Sequence, residues 1–251
     1  MTPVLEICLE SLASARAAIE GGADRIELCS ALAIGGLTPY PELLRQIRQI
    51  STIPVRCLMR PRAGDFFYTE DEIRLMAMQI PRLKDAGADG FVIGCLKEDG
   101  SLDEKKMEIL IRAADGYPLT LHRAIDVSRD PEETYRKAKD LGIDTVLTSG
   151  AAPTAEQGKE TIGKLLTLRE EIQGPEVLIG SGVQPETIAM FRKEYPLSRA
   201  FHTSGKVNIP SAMTFRKEGV PMGIPGFDEW HIQQSSRDII AKAKEILIQS
   251  F

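Results

Sequence analysis

The 251-residue chain is poor in the features that mark several large classes of protein. No apolar run approaches the length needed to span a bilayer, and the opening MetThrProValLeuGlu reaches a glutamate at once, so neither a membrane span nor a secretory leader is expected. Cysteine is scarce. Four residues (Cys8, Cys29, Cys57 and Cys95) are too few to staple a chain of this size, which points to a reducing, cytoplasmic setting. No CysXXCys or HisXXXHis spacing occurs, so nothing resembles a closed zinc site. Basic residues are not in excess: 31 Lys and Arg face 36 Asp and Glu, for a net charge of −5. That balance removes the electrostatic case for nucleic-acid or anionic-membrane partners. No GlyXGlyXXGly opens the first strand–helix turn, so no nucleotide cofactor is expected.

What the chain does have is one phrase written three times. GlyGlyAlaAspArgIleGluLeu (21–28), AlaGlyAlaAspGlyPheValIle (86–93) and LeuGlyIleAspThrValLeu (141–147) each close a helix at a glycine, turn through an aspartate and enter an apolar strand. A glycine just past a helix takes the left-handed conformation that satisfies the last carbonyls. The aliphatic run after it marks a strand covered on both faces. Strands are expected at 4–8, 24–29, 55–62, 90–95, 119–126, 145–150, 177–182 and 199–205. Helices are expected at 12–20, 41–50, 70–84, 103–114, 131–141, 155–172, 185–194 and 236–249. Eight strand–helix pairs in 251 residues read as one (β/α)8 TIM barrel, a single α/β domain over 1–251, with an open doubly wound sheet as the alternative. The stretch 207–234, with Pro210, Pro221, Pro225, three glycines and the only tryptophan, breaks the rhythm as a long loop.

Strand parity then sorts side chains between helix layer and barrel interior. Leu5 and Ile7 suit the helices, which turns Glu6 and Cys8 inward; Ile26 and Leu28 likewise leave Arg25, Glu27 and Cys29 inward. The same parity points Arg56, Leu58 and Arg60 inward, with His122 and Asp126 from the fifth strand and His202 and Ser204 from the eighth. Charges on a barrel axis are costly unless paired or bound, so this set reads as a site at the carboxyl-terminal mouth. Glu6, Glu27, His122 and Asp126 are the catalytic candidates, Glu6 and Glu27 as an acid–base pair on neighbouring strands. Arg25, Arg56, Arg60, Arg62 and Arg123 suit an anionic, oxygen-rich small molecule. GlySerGlyValGlnPro (180–185) and HisThrSerGlyLys (202–206) occupy the loops that in such barrels grip phosphate, which adds Ser181, Gly182, His202, Ser204, Gly205 and Lys206 to the anion site. Cys8 and Cys29 share inward parity on adjacent strands and would suit a soft ion such as Cu(I); Cys57 and Cys95 face the helices.

GluIleCysLeuGlu (6–10), GlyGlyAlaAspArgIleGluLeuCys (21–29), GlyGlyLeuThrPro (35–39), MetArgProArgAlaGlyAspPhePheTyr (59–68), HisArgAlaIleAsp (122–126) and LeuThrSerGly (147–150) resemble the copper homeostasis CutC family. The resemblance implies a cytoplasmic (β/α)8 barrel, a homodimer or larger homo-oligomer, that serves copper homeostasis and binds Cu(I). Tyr40 and Ile125 depart from residues common in the family and touch no candidate ligand. The residue chemistry keeps a second reading open: a lyase, isomerase or aldolase-like enzyme on a phosphorylated or carboxylated sugar-like substrate. In it Glu27 or Glu6 moves a proton with His122 as partner, and Arg60 and Arg25 hold charge developing on oxygen.

Overall fold

The computed structural model describes residues 2–217, 219–220, 223–224 and 226–249. Eight parallel strands close into a barrel in sequence order: β1 (Val4–Leu9), β2 (Arg25–Leu28), β3 (Val55–Leu58), β4 (Gly90–Ile93), β5 (Leu119–Leu121), β6 (Thr145–Thr148), β7 (Glu176–Ile179) and β8 (Ala200–Thr203). The helices between and after them are α1 (Leu12–Glu20), α2 (Pro41–Ile50), α3 (Glu70–Asp85), α4 (Glu104–Ala114), α5 (Pro131–Asp140), α6 (Lys159–Ile172), α7 (Pro185–Glu194) and α8 (Arg237–Ile248). The chain is thus the (β/α)8 barrel its repeats imply. Its main core lies between strands and helices, where Leu5, Ile7, Ile26, Leu28, Val55 and Cys57 are fully buried.

The thrice-written hinge works as a staple. Gly22, Gly87 and Gly142 all take positive φ (82°, 103° and 73°), letting the next amide bond back into the helix just ended. The aspartate two positions on then grips the preceding strand. Asp24 Oδ2 accepts the Leu5 amide at 2.7 Å, Asp89 Oδ2 that of Val55 at 2.8 Å and Asp144 Oδ2 that of Leu119 at 2.6 Å. Each aspartate amide returns a bond to the carbonyl of the same residue, at 2.9, 2.8 and 3.1 Å. The repeat therefore fastens each of β2, β4 and β6 to the strand before it, at the amino-terminal end of the barrel.

Three expectations change. The fifth strand does not run to Asp126: it stops at Leu121, and Arg123–Val127 coils into a 3-10 turn whose first free amide, that of Ala124, is accepted by His122 Nδ1 at 3.1 Å. The sixth helix begins at Lys159 rather than 155, because Gly150 and Gly158 lie against each other so closely that a Cβ on Gly150 would stand 2.1 Å from the Gly158 carbonyl oxygen. The stretch 207–234 is not all loop: β9 (Lys206–Pro210) and β10 (His231–Ser235) pair antiparallel as the base of an arm. Of the prolines that suggested a loop, Pro221 and Pro225 lie outside the described residues.

The staple can be tested at Asp144. Asp144→Ala leaves the Leu119 amide without its side-chain partner and is expected to cost about 1–2 kcal/mol, read as a lower urea midpoint at unchanged m-value. An unchanged midpoint would remove the staple from the account of stability.

Candidate active site

Register brings one line of ionisable residues together inside the barrel. Glu6 stands opposite Arg25 on one side and opposite His202 on the other, and Cys8 stands opposite Glu27. The Glu6 carboxylate, fully buried, accepts from Arg25 Nε at 2.5 Å through Oε2 and meets His202 Nδ1 at 2.8 Å through Oε1. The other face of the imidazole continues the line, with Nε2 3.6 Å from Glu27 Oε2. Donor atoms of Cys8, Glu27 and His202 all lie within 4.8 Å of one another. Cys29 joins through Glu27, its Sγ 3.6 Å from Oε2, and is otherwise packed with Leu58, Val92 and Leu32.

The two glutamates are driven apart in acidity. Burial works to raise Glu6, but Arg25, the His202 bond and charge, and Arg56 outweigh it and bring its pKa down to about 2. Glu27 moves up, first because burial strips its solvent and then because the Glu6 charge is near, with His202 opposing. Burial disfavours the His202 imidazolium, yet Cys8, Glu27 and the Glu6 bond together hold its pKa well above the ordinary value. Burial and the neighbouring Glu27 push the Cys29 thiol far up. His122 goes the other way, to about 3, through burial and the positive charge of Arg60. Carboxyls of opposite shift side by side are the pattern of an acid–base site.

A cavity of about 440 Å³ opens above this line and is bounded by Cys8, Glu27, Arg60, Phe66, His122, Arg123, Ser181, Gly182, His202, Ser204 and Lys206. Its size suits a small metabolite. The anion candidates at its wall differ in what they have left to offer. Arg60 donates from Nη1 to the Ile34 and Gly36 carbonyls (3.0 and 2.9 Å) and from Nη2 to that of Gly64 (2.9 Å), and its Nε has no hydrogen-bond partner among the described residues. Arg123 binds Asp126 at 2.7 Å and Ser149 at 2.8 Å but keeps 42% of its side chain exposed at the mouth. Ser181 and Gly182 both have positive φ, 75° and 69°, and the Ser181 hydroxyl donates to the Pro153 carbonyl. Lys206 reaches Gln233 on the arm at 2.9 Å.

Other candidates are elsewhere. Arg25 and Arg56 are not at the mouth: they line a separate depression with Val4, Asp24, Asp89 and Pro118, at the strand beginnings. Arg56 donates to Thr120 and Thr145 at 2.5 and 3.1 Å, and burial lowers its pKa to about 10. Arg62 lies outside the cavity lining and ties its loop to α3 through Glu72 at 2.5 Å and to Asp65 at 3.0 Å. Gly205, also outside the lining, packs its positive-φ backbone against Ile240. Asp126 is taken up entirely, accepting from Thr148, Arg123, the Ser149 amide and hydroxyl, and the Ala151 amide. It organises the mouth and has no lone pair left for a substrate proton.

The model of the CutC family matches residues 3–207. The chain belongs to the CutC family. Curated family relatives include a CutC protein of Vibrio campbellii, 41% identical over 96% of this chain and 97% of its own length, and one of Porphyromonas gingivalis, 39% identical over 98% and 99%. A solved structure described as a copper homeostasis protein CutC, from Streptococcus agalactiae, superposes with a TM-score of 0.75 at 27% identity, covering 81% of this chain and 99% of its own.

The copper in that description can be weighed against the donors present. The compact set is one thiol, one imidazole and one carboxylate, with Glu6 orienting the His202 ring through Nδ1 as carboxylates behind metal-bound histidines do. Such a mixed set fits a copper ion, though less softly than a pair of thiolates would. Cys29, held as a thiol by burial, stands outside it. Sequence reasoning placed His202 in the anion site and missed its union with Glu6, Glu27 and Cys8. Its inward parity was visible, but its register against β1 was not. Phe66 was also missed; its ring lies tilted against His122 at 4.6 Å with the Arg60 guanidinium 5.5 Å over it, and it lay within a motif whose loop geometry no periodicity reveals.

Glu6 sets an acid limit on the fold. Its folded-state pKa lies below its ordinary value of 4.5, so its contribution is complete above pH 4.5 and is lost as pH falls toward 2. Glu6→Gln should flatten that limb of the stability–pH profile and cost about 3–5 kcal/mol at pH 7, where Arg25 and His202 lose their partner. Parallel profiles for the two proteins in urea titrations would contradict the pairing.

Proposed function

We propose that the chain is an acid–base enzyme acting on a small anionic substrate in the barrel mouth, with Glu27 moving a proton to and from carbon. The observation that carries this reading is the divergent pair Glu6 and Glu27 bridged by His202, with Glu27 and His202 lining the cavity and Glu6 buried behind them. Glu6, locked between Arg25 and His202, is a poor proton acceptor. Its task is to hold the imidazole and keep it charged. Glu27, raised by burial but opposed by His202, is the carboxyl suited to take up and return a proton. Arg123, with the Ser181–Gly182 and Ser204 backbone, supports binding of a carboxylate or phosphate beside it. Arg25 has no part in this mouth. Four free cysteines support a reducing, cytoplasmic setting.

The test is solvent-deuterium exchange into a panel of phosphorylated and carboxylated hydroxy- and keto-compounds, followed by proton NMR. At least one compound is expected to exchange a carbon-bound proton with the wild type and to exchange at least about 100-fold more slowly with Glu27→Gln. No exchange across the panel, or equal rates in the variant, would defeat the reading.

A second reading rests on the Cys8–Glu27–His202 set and on the family's association with copper. In it the same three residues take a copper ion as cargo, with Glu6 steering the His202 ring. Anaerobic competition against a Cu(I) chelator separates the donor sets. If this cluster is the site, Cys8→Ser weakens binding at least about tenfold while Cys29→Ser leaves it within about threefold. Comparable loss in Cys8→Ser and Cys29→Ser would return the site to the thiol pair, and tight binding by the Cys8→Ser, Cys29→Ser double variant would remove both.

A further inference from the structure

The cavity wall opposite the glutamates carries a buried histidine whose bonding is incomplete. His122 Nδ1 accepts the Ala124 amide at 3.1 Å, so its lone pair is occupied and the ring proton sits on Nε2. Nε2 is buried and has no hydrogen-bond partner among the described residues. A buried donor left unpaired costs about 1–3 kcal/mol, so its persistence at a cavity wall points to an acceptor that arrives from outside. The ring is also held against turning. Phe66 lies against one side, its ring centroid 4.6 Å away and tilted by 40°, and Gly94 lies so near that a Cβ there would be 2.4 Å from Cε1 and 2.6 Å from Nδ1.

We propose that His122 is a neutral electrophile that donates Nε2–H to a carbonyl oxygen of the substrate, which makes the substrate a compound with an acidic C–H beside a carbonyl. This deepens the acid–base reading of the same cavity and rests on it. As the Glu27 carboxylate takes the carbon-bound proton, the C–H electron pair becomes a C=C bond and the carbonyl π pair moves onto oxygen. His122 keeps its own proton and stabilises the resulting enolate oxygen by the hydrogen bond. Protonation of the enolate carbon by Glu27 completes the cycle, with no other reactant required. Burial first, and then the charge of Arg60, oppose the imidazolium and keep the ring neutral, with its pKa lowered to about 3. The Arg60 guanidinium, committed to loop carbonyls through both Nη atoms, adds positive field without surrendering a proton. The role expected of Arg60 and Arg25 at oxygen thus passes to His122. His122 ceases to be a proton carrier.

The test uses the full chain labelled with ¹⁵N-histidine, and oxalate, a planar dianion that mimics an enolate, as probe. Long-range ¹H–¹⁵N spectra, assigned with His122→Gln, are expected to show the neutral Nε2–H form of His122 unchanged from pH 8 to pH 5. Saturating oxalate should move the Nε2 proton downfield. His122→Leu should bind oxalate at least about tenfold more weakly, whereas His122→Gln, which retains an N–H donor, should stay within about threefold of wild type. An imidazolium or Nδ1–H form in that range, no oxalate binding by the wild type, or wild-type affinity in His122→Leu overturns the assignment. The chain has three histidines, so the wild-type spectra, assigned if need be by substituting His231 and His202 instead, decide the matter even if a His122 variant fails to fold. Failure of the assignment is distinct from failure of the acid–base reading. Exchange that needs Glu27 while oxalate ignores His122 overturns only the former, and an intact oxalate–His122 bond without any C–H exchange overturns only the latter.

Discussion

A carboxylate buried on the axis of a barrel has to be neutralised on the spot, and Glu6 is the residue on which that requirement falls. Neither β1 nor water supplies a cation, so the neighbouring strands must: Arg25 from β2 and His202 from β8, each directly across from Glu6 in register. The seam where the barrel closes, between its first and last strands, is thus also the place where its charge is balanced. A slip of one residue in either pairing would turn a partner to the helix layer and strand the carboxylate. The same bonds that satisfy Glu6 hold the imidazole toward Glu27, so closure of the fold and assembly of the candidate site are one event.

The interior is consequently divided along its axis. The amino-terminal end carries structural polarity, with Arg56 engaged by Thr120 and Thr145 and with the aspartate staples binding strand to strand. The carboxyl-terminal end carries groups with unspent capacity: Glu27, Cys8, the far nitrogen of His122 and the exposed edge of Arg123. Between them, several conspicuous charges are architects of loops. Arg60 gathers three backbone carbonyls, Arg62 ties a loop to α3, and Asp126 collects the amides that follow β6. A charged residue in a barrel mouth is therefore no measure of its availability; its remaining donors and lone pairs are.

Much of the fold was legible because the periodicities are strong. The bounds of α1, α2 and α7 follow from apolar spacing and from prolines at the first helical position. Where backbone broke from a single period, reading failed. Leu119–His122 alternates like a strand, but HisArgAlaIleAsp (122–126) does not continue it and coils, His122 offering a side-chain acceptor to the amide two residues on. The close contact of Gly150 with Gly158 and the hairpin at the base of the arm involve partners distant along the chain, which no local pattern encodes.

The sequence by itself determined the (β/α)8 architecture, the family, the sidedness of β1, β2, β3 and β8 and so the inward set Glu6, Cys8, Arg25, Glu27, Arg56, Arg60 and His202. These follow from local propensity and from a period of two, which are properties of neighbouring residues. Only the tertiary structure decided which of these meet, at what height on the axis, and with what bonding capacity left. Register, burial and neighbouring charge are properties of pairs far apart in the chain. They separate Arg25 and Arg56 from the mouth, split Glu6 from Glu27 in acidity, bring His202 to Cys8, and leave Nε2 of His122, a residue of the cavity wall, buried without a hydrogen-bond partner among the described residues.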